Sequence, residues 1–328
     1  MPVTRQIAVA PMMDWTDRHC RVVHRRLNPD LLLFTEMVTA KAVIFGDRAR
    51  LLDYDLEEHP LVLQLGGNDP RELAEASRIA AEWGYDEVNL NVGCPSDRVQ
   101  GGAFGACLMR EPERVGDCLA AMGEGGLPVS LKCRLGVDDQ DIETALDAVA
   151  DRAVAAGVSA IWVHARKAWL EGLSPAQNRD IPPLDYGRVH RLHARLSTFV
   201  GINGGIGDAA AVAEQLAVVD GVMIGRAAYQ RPGLLAELAG RGTLAERIAV
   251  ARSMVDYAAR WCDGGGRLAP VLKPLLGLFH GEPGARQFRR TLSEEGHRAE
   301  AGPHVLAGAL DRLEDEAARA EARRALAA

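Results

Sequence analysis

The sequence predicts an α/β protein of the (β/α)8 TIM-barrel class over residues 1–240, followed by a small all-helical domain over residues 241–328. Three observations predict this organisation. Eight short apolar, β-branched runs recur through the first 230 residues, amphipathic segments separate several of them, and no strand-like run follows residue 240. Near-continuous apolar runs are typical of strands that helices bury on both faces.

The eight predicted strands are IAVAPM (7–12), LLLFTEM (31–37), LVLQLGG (61–67), EVNLNVG (87–93), VSLKCRLG (129–136), AIWVHAR (160–166), TFVGING (198–204) and GVMIGRA (221–227). Segments 70–83, 142–156 and 208–217 are long enough for crossover helices, whereas the connections after the first two strands are shorter and less regular. Eight parallel strands with alternating helices favour a closed barrel, and an open doubly wound sheet is the alternative.

The C-terminal part is predicted to be helical. Thr243 and Glu246 form a capping box ahead of a long amphipathic segment, and further helices are expected at 270–279, 284–292 and 303–325. A chain of 328 residues exceeds the usual size of one core, and a barrel of about 250 residues leaves about 80 for a second domain.

Composition limits the class of protein. The chain is 48% hydrophobic and 25% charged, which is ordinary for a globular protein. It has neither a long apolar stretch nor a secretory start, and its six cysteines show neither CxxC pairs nor zinc-type spacing. We expect a cytoplasmic monomer with no membrane partner and no metal.

The charge is unevenly distributed along the chain. The net charge is −7, but residues 241–328 alone carry 14 Lys/Arg against 12 Asp/Glu, so a phosphate-binding surface must be local.

Barrel enzymes build their active sites at the carboxyl ends of the strands. The residues at these ends are Pro11, Met12, Met13, Gln64, Asn91, Cys94, Lys132, Arg134, His164, Arg166, Asn203, Gly204, Gly205, Gly225 and Arg226. GINGGIGD and MIGRA place glycines and one guanidinium before helices, which is typical of a phosphate site, and tight turns are the alternative. No strand is followed by GxGxxG, and no GxxxxGK[ST] occurs.

Two of these side chains stand inside apolar strands. Lys132 is interpreted as facing the barrel mouth and an anionic partner, with a structural ion pair as the alternative. His164 is either a site residue or a core histidine, and Gln64 either binds a ligand or satisfies backbone groups. A phosphate site with a lysine and amides would suit flavin mononucleotide (FMN), although pyridoxal phosphate and sugar-phosphate enzymes use the same corner of the barrel.

Several longer motifs resemble one family, the tRNA-dihydrouridine synthases. They are APMMDWTDRHCR, TEMVTAKA, LQLGG, EVNLNVGCPSDRVQGGAFGACLM, LKCRLG, VHARKAWLEGLSP, NRDIPPLDY and NGGI. HARKAWL and NRDIPPLDY resemble the A subfamily. The resemblance runs from about residue 8 to 230, with a further match at GARQFRR.

The resemblance implies an FMN-dependent, NADPH-using enzyme that reduces the C5–C6 bond of uridine at positions 20 and 20a in the D-loop of tRNA. It implies that FMN is held by Pro11, Met12, Met13, Gln64, Lys132, His164, Asn203, Gly204, Gly205, Gly225 and Arg226, and that tRNA is contacted by Asn91, Arg166, Arg179, Arg286, Arg289 and Arg290.

Cys94 lies just past the end of its strand, in NLNVGCPS, and the resemblance makes it the proton donor. Hydride addition at C6 of uracil leaves negative charge that must be neutralised by a proton delivered to C5 from the other face of the ring. A cysteine thiol has an ordinary pKa of about 8.5, so it is mostly protonated at neutral pH and donates readily. A buried, inert thiol is the alternative.

Other functions stay open from the sequence alone. A flavin-dependent dehydrogenase of a free pyrimidine would use the same barrel, and an RNA-binding protein without catalysis would use the same basic helix. Arg286, Arg289 and Arg290 share one helix face, which is either a phosphate-binding or a solvated surface. Ala176 departs from the family, in which Lys is frequent at this place, and we expect weaker RNA binding or a shifted choice of uridine.

Overall fold

A parallel β-barrel forms the larger part of the molecule, a computed structural model that describes residues 6–96 and 101–327. Its strands are β1 (Ile7–Val9), β2 (Leu33–Phe34), β3 (Val38–Thr39), β4 (Leu61–Gly66), β5 (Glu87–Val92), β6 (Val129–Arg134), β7 (Ala160–His164), β8 (Phe199–Asn203) and β9 (Gly221–Ile224). They pair in parallel in the order β1-β9-β8-β7-β6-β5-β4-β2, and β3 also pairs with β4.

The sheet closes on itself next to Leu32. The Val9 N–H donates to the Leu32 carbonyl (3.0 Å), and the Leu32 N–H donates to the Ile7 carbonyl (2.9 Å), which joins β1 to the start of β2. The predicted (β/α)8 barrel is therefore confirmed, and the open sheet is wrong. Each of the eight predicted runs contains a strand. The short strand β3, which the sequence did not predict, pairs with the end of β4.

The described residues contain these α-helices: α1 (Arg18–Leu27), α2 (Ala40–Phe45), α3 (Arg48–Leu51), α4 (Pro70–Glu82), α5 (Pro112–Gly123), α6 (Ile142–Ala155), α7 (Tyr186–Arg195), α8 (Ala209–Leu216), α9 (Arg226–Gln230), α10 (Gly233–Leu238), α11 (Leu244–Asp263), α12 (Leu268–Leu272), α13 (Ala285–Glu295) and α14 (His304–Ala327). Asp69, Asp141, Asp185 and Asp208 cap α4, α6, α7 and α8 by accepting backbone N–H groups of the first turn. Such caps fix where each helix begins after its strand.

The chain divides into two compact units. The barrel unit comprises the residues up to Thr16 and Leu31–Gly225, and the helical unit comprises Asp17–Asp30 and Arg226–Ala328. The boundary expected at residue 240 thus lies inside the helical unit, which also includes α1. Contacts within this unit explain the difference, because His24 Nε2 lies 3.1 Å from the Ala228 carbonyl and Asn28 donates to the Leu235 carbonyl at 3.2 Å.

The helical unit has its own core and helices at two of the three predicted C-terminal segments, α13 and α14. The helix expected at 270–279 is instead the short α12 followed by the 3-10 helix Lys273–Leu275. Thr243 and Glu246 form the expected capping box at the start of α11. Phe279 and Phe288 are buried and meet edge to face, with ring centroids 4.9 Å apart. No helix in residues 6–96 or 101–327 is long and apolar enough to cross a membrane.

An indole fills the barrel interior beneath the strand ends. Trp162 is 1% exposed, and its ring centroid lies 5.3 Å from that of Phe199. In the strand register Trp162 stands beside Gly201, which stands beside Gly221. A Cβ added at Gly201 would lie 2.2 Å from the indole ring, so the missing side chain makes room for Trp162.

Gly201→Ala is therefore expected to destabilise the protein. Overpacking of this kind lowers the free energy of unfolding by about 1–3 kcal/mol, because the indole must shift within a closed barrel. Gly123→Ala is the matched control, since a Cβ at the end of α5 meets no atom within 4 Å. Urea unfolding of both variants checks this, and equal midpoints for the two would contradict it.

Candidate active site

Cys94 lies on a turn that one amide side chain holds in place. Asn91, at the end of β5, accepts the N–H groups of Gly93 and Cys94 on its Oδ1, both at 3.0 Å. The Cys94 side chain is partly exposed, and its Sγ lies 3.5 Å from Ser96 Oγ. Burial raises the pKa of Cys118 and of Cys133 to about 12, which makes thiolate formation at these two residues unfavourable at neutral pH.

A ladder of hydrogen bonds runs from this turn into the barrel. Asn91 Nδ2 donates to Gln64 Oε1 (2.8 Å), and Gln64 Nε2 donates to Asn89 Oδ1 (2.9 Å). Asn89 Nδ2 then donates to Ser130 Oγ (2.8 Å), whose hydroxyl donates to Glu87. Because each amide serves as donor on one side and acceptor on the other, the ladder fixes the orientation of every amide in it. Burial raises the pKa of Glu87, the last carboxyl of the ladder, to about 7.

The strand ends next to the ladder are cationic. Burial and the neighbouring Arg134 charge lower the pKa of Lys132 to about 8, and no carboxylate in the described part of the chain pairs with it. Burial and the charges of Arg134 and Lys132 hold the pKa of His164 well below its usual range, so the imidazole is neutral. His164 Nδ1 is buried and has no hydrogen-bond partner among the described atoms. The structural ion pair considered for Lys132 is therefore not found.

Two glycines shape the corner after β8. Gly204 and Gly205 have positive φ angles of 113° and 69°, which glycine adopts without strain. A Cβ at Gly204 would lie 2.9 Å from the His164 ring, and one at Gly205 would lie 2.5 Å from Leu184. The space that each Cβ would occupy is thus taken by His164 or Leu184, so both positions require glycine, and of the two only Gly205 is exposed to solvent.

The other predicted cofactor residues lie at or just after the ends of β1, β8 and β9 in the chain. Asn203 Nδ2 donates to the Met223 carbonyl at 2.7 Å. The Met12 N–H donates to Thr16 Oγ1 at 2.9 Å, while Met13 is 54% exposed. A Cβ at Gly225 would meet only Ala10 and Met12, at 3.9–4.0 Å. Pro11 is partly buried in the barrel unit, and Arg226 begins α9 in the helical unit.

These groups fit FMN. A flavin nucleotide requires a phosphate site together with donors and a cation near its ring. The exposed Gly205 lies at the corner, no described carboxylate compensates the Lys132 charge, and the buried His164 Nδ1 has no hydrogen-bond partner among the described atoms, so the three supply such groups. The described residues contain no cluster of three or more His, Cys, Asp or Glu that could hold a metal ion.

The loop after β7 carries two arginines predicted to contact tRNA. Arg166 is 9% exposed and donates to the Pro182 carbonyl, whereas Arg179 is exposed at the end of the 3-10 helix Gln177–Arg179. Asn178 holds the loop, because its Oδ1 accepts the Trp169 N–H (2.7 Å) and its Nδ2 donates to the Trp169 carbonyl (2.8 Å). Ala176 is exposed and makes no side-chain cap.

The remaining predicted tRNA residues lie on α13. Arg286, Arg289 and Arg290 are exposed, while Phe288 and Leu292 bury the other face of the helix. Arg290 pairs with Glu294 at 2.9 Å. The three arginines therefore share a solvent-facing surface, as their spacing predicted.

Sequence reasoning missed several residues that shape the site. Glu87, Asn89 and Ser130 were not singled out, although polar residues at every second position of EVNLN mark one face of a strand. Asn178 was read only as part of a motif. Arg134 was noted at its strand end but was given no role.

Comparison with known proteins identifies the family. The model of the family described as Dihydrouridine synthase (Dus) matches residues 8–319. A protein of Xanthomonas campestris named tRNA-dihydrouridine(20/20a) synthase is 52% identical over 320 residues, which is 96% of this chain and 95% of the relative. A protein of Vibrio vulnificus with the same name is 49% identical and covers 95% of this chain and 98% of its own length.

A solved structure shows the same fold at low identity. A morphinone reductase mutant in complex with tetrahydroNAD matches with a TM-score of 0.52 and 11% identity, over 73% of this chain and 87% of that chain. This likeness supports the barrel alone. The sequence relatives and the match over residues 8–319 show the family as well as the fold: the chain belongs to the dihydrouridine synthase family.

Proposed function

We propose that this protein reduces the C5–C6 double bond of uridine to 5,6-dihydrouridine in the D-loop of tRNA, at positions 20 and 20a. The relatives that carry the name tRNA-dihydrouridine(20/20a) synthase support the substrate. One structural observation carries the chemistry: a partly exposed thiol, Cys94, stands on a turn fixed by Asn91 at the carboxyl end of the barrel. The reaction is assigned to the cytoplasm, where we expect the protein to work as a monomer.

FMN, when bound, supplies the hydride that adds at C6 of uracil, and NADPH is the reductant in this proposal. Gln64, Lys132, His164 and the backbone at Asn203, Gly204, Gly205 and Gly225 are the groups that would hold FMN, with Pro11, Met12, Met13 and Arg226 as further proposed contacts. Lys132 provides a cation for an anionic group, and neutral His164 provides a buried nitrogen for a hydrogen bond. One cation and one neutral hydrogen-bonding nitrogen suit a ligand that carries both a charged and a polar group.

Cys94 then completes the reduction. Its Sγ–H bond breaks, the proton goes to C5 of the ring, and the electron pair stays on sulfur as a thiolate. Lys132 interacts electrostatically with Cys94, so its cation balances the charge that the thiol acquires. Asn91 keeps the thiol in place, because it is tied to Gln64 on one side and to the Cys94 N–H on the other.

The target base must leave the tRNA stack before it can meet this thiol, at a cost of a few kcal/mol. Contacts to phosphates elsewhere offset that cost. Arg179 on the barrel unit and Arg286 and Arg289 on α13 are exposed cations proposed for this purpose. Arg290 pairs with Glu294, so its charge is less available for a phosphate than those of Arg286 and Arg289. Arg166 and Asn91 are further proposed tRNA contacts.

Cys94→Ala is expected to lower the rate of dihydrouridine formation by about 10²- to 10⁴-fold, the usual contribution of a positioned acid. FMN content should not change, because Cys94 is not among the groups proposed to hold it. Mass spectrometry of tRNA purified from cells that lack dihydrouridine measures the product. Cys262→Ala, in the helical unit, is the control, and a Cys94→Ala enzyme of full activity would contradict the assigned acid.

FMN affinity is expected to fall as the pH rises through about 8. Lys132 has a pKa of about 8 without ligand, so it is charged below that pH and loses its charge above it. An anionic ligand raises this pKa in the complex, which makes binding weaker at alkaline pH. Titration of the protein with FMN between about pH 7 and 9.5 measures the dissociation constant, and the phosphate stays doubly ionised over this range.

Lys132→Arg is the control for that titration. Its guanidinium stays charged, so the dissociation constant should be independent of pH over the same interval. An equal loss of affinity in Lys132→Arg, or a constant affinity in the unaltered chain, would show that Lys132 is not the group involved.

Arg286→Ala and Arg289→Ala are each expected to weaken tRNA binding and to reduce the slope of log K against log [salt] by about 1, as the loss of one phosphate contact does. Arg290→Ala should have a smaller effect because of its pair with Glu294. Binding is measured by filter retention at several salt concentrations. Arg323→Ala, exposed on α14, is the control, and unchanged slopes for Arg286→Ala and Arg289→Ala would argue for a merely solvated surface.

A further inference from the structure

Arg134 joins two segments of the active-site rim. It is the last residue of β6 and is 5% exposed. Its Nε donates to the Gly93 carbonyl (2.9 Å), and its Nη1 donates to the carbonyls of Lys167 (3.0 Å) and Asn178 (2.9 Å). Gly93 belongs to the turn of Cys94, whereas the other two residues belong to the loop after β7. One guanidinium therefore bonds to both segments.

These bonds complete the support of the Cys94 turn. Asn91 holds the N–H groups of Gly93 and Cys94, and Arg134 holds the Gly93 carbonyl. Both main-chain polar groups of Gly93, the residue before the thiol, are thus hydrogen-bonded, its N–H to Asn91 and its carbonyl to Arg134. The same guanidinium fixes the carbonyl next to Arg179, through Asn178.

A second buried arginine, Arg188, differs from Arg134 in having carboxylate partners. Arg188 is 1% exposed and also donates to two main-chain carbonyls, those of Ile142 and Glu143. It is, however, neutralised by the carboxylates of Asp147 and Glu143. No carboxylate in residues 6–96 or 101–327 forms an ion pair with Arg134. Burial lowers the pKa of Arg134 only to about 10, so its charge persists at neutral pH.

We propose that Arg134 is a positioning residue that locks the Cys94 turn to the 167–178 loop, so that the proton donor and the tRNA-facing loop keep one arrangement. The proposal rests on the proposed function, because the value of that arrangement is proton transfer to a bound uridine. A planar fork with several donors in fixed directions suits three separate carbonyls, whereas a lysine ammonium is a single point at the end of a flexible chain.

Hydrogen exchange of the FMN-loaded protein tests the physical part of the proposal. In Arg134→Met, the amides of residues 90–96 and 167–179 are expected to exchange faster together, by about tenfold or more, since one lost group frees both segments. Arg188→Met is the matched control, a buried arginine whose loss should affect segments 142–147 and 186–192 instead. Unchanged exchange in either segment 90–96 or segment 167–179 of Arg134→Met would overturn the lock.

Kinetics test the functional part. In Arg134→Met the rate of dihydrouridine formation at saturating tRNA should fall by about 10- to 100-fold, as a misplaced reacting group does. FMN content and the rate of flavin reduction by NADPH without tRNA should stay within about twofold of the unaltered chain, since the lock acts on proton transfer. A merely structural role would lower all three quantities together, and that outcome would overturn the proposal.

If the methionine variant does not fold, Arg134→Lys tests whether the guanidinium fork is required in addition to the charge. It keeps the charge and loses the fork, so its rate with tRNA should stay at least about fivefold below that of the unaltered chain. Full activity would show that charge alone is required and would refute the lock. If the unaltered chain forms no dihydrouridine, the proposed function fails, and the exchange measurement alone then decides whether Arg134 joins the two segments.

Discussion

The active site depends on the side chain of Asn91. Its Oδ1 accepts the N–H groups of the two residues that follow β5, and its Nδ2 donates to Gln64. These bonds connect the reactive turn to an amide ladder that ends at Glu87, deep in the barrel. A thiol just past a strand would otherwise lie on an unsupported loop, whereas here its backbone is hydrogen-bonded to Asn91 of the barrel wall.

The closed barrel allows this ladder of buried polar side chains to be stable. Polar side chains in an apolar interior are stable only when their hydrogen bonds are satisfied, and register brings Gln64 beside Asn89 and Asn89 beside Ser130. Trp162 and the space left by Gly201 fill the neighbouring part of the interior. Lys132, Arg134 and the neutral imidazole of His164 lie towards the ends of β6 and β7, in a chain whose net charge is −7.

The sequence predicted the barrel and the strand ends that carry the candidate site residues, because both follow from local patterns. Strand runs and their last residues place Gln64, Lys132 and His164 at one end of a barrel before any contact is known. The two-residue strand β3 was too short to give a periodic signal. Arg134 and Asn178 act through main-chain carbonyls of segments distant in sequence, and no local pattern reveals such partners. The division of the chain likewise follows from contacts of α1, which stands early in the sequence.

The central claim is that a thiol fixed above the barrel protonates C5 from the face opposite the incoming hydride. The stereochemistry of the product tests this most directly. The reaction is run in D2O with unlabelled NADPH, and the dihydrouridine nucleoside is analysed by NMR. The hydrogen on reduced flavin exchanges with solvent as the thiol hydrogen does, so deuterium is expected at both C5 and C6. The account predicts the two deuterium atoms on opposite faces of the ring, and two on the same face would contradict it.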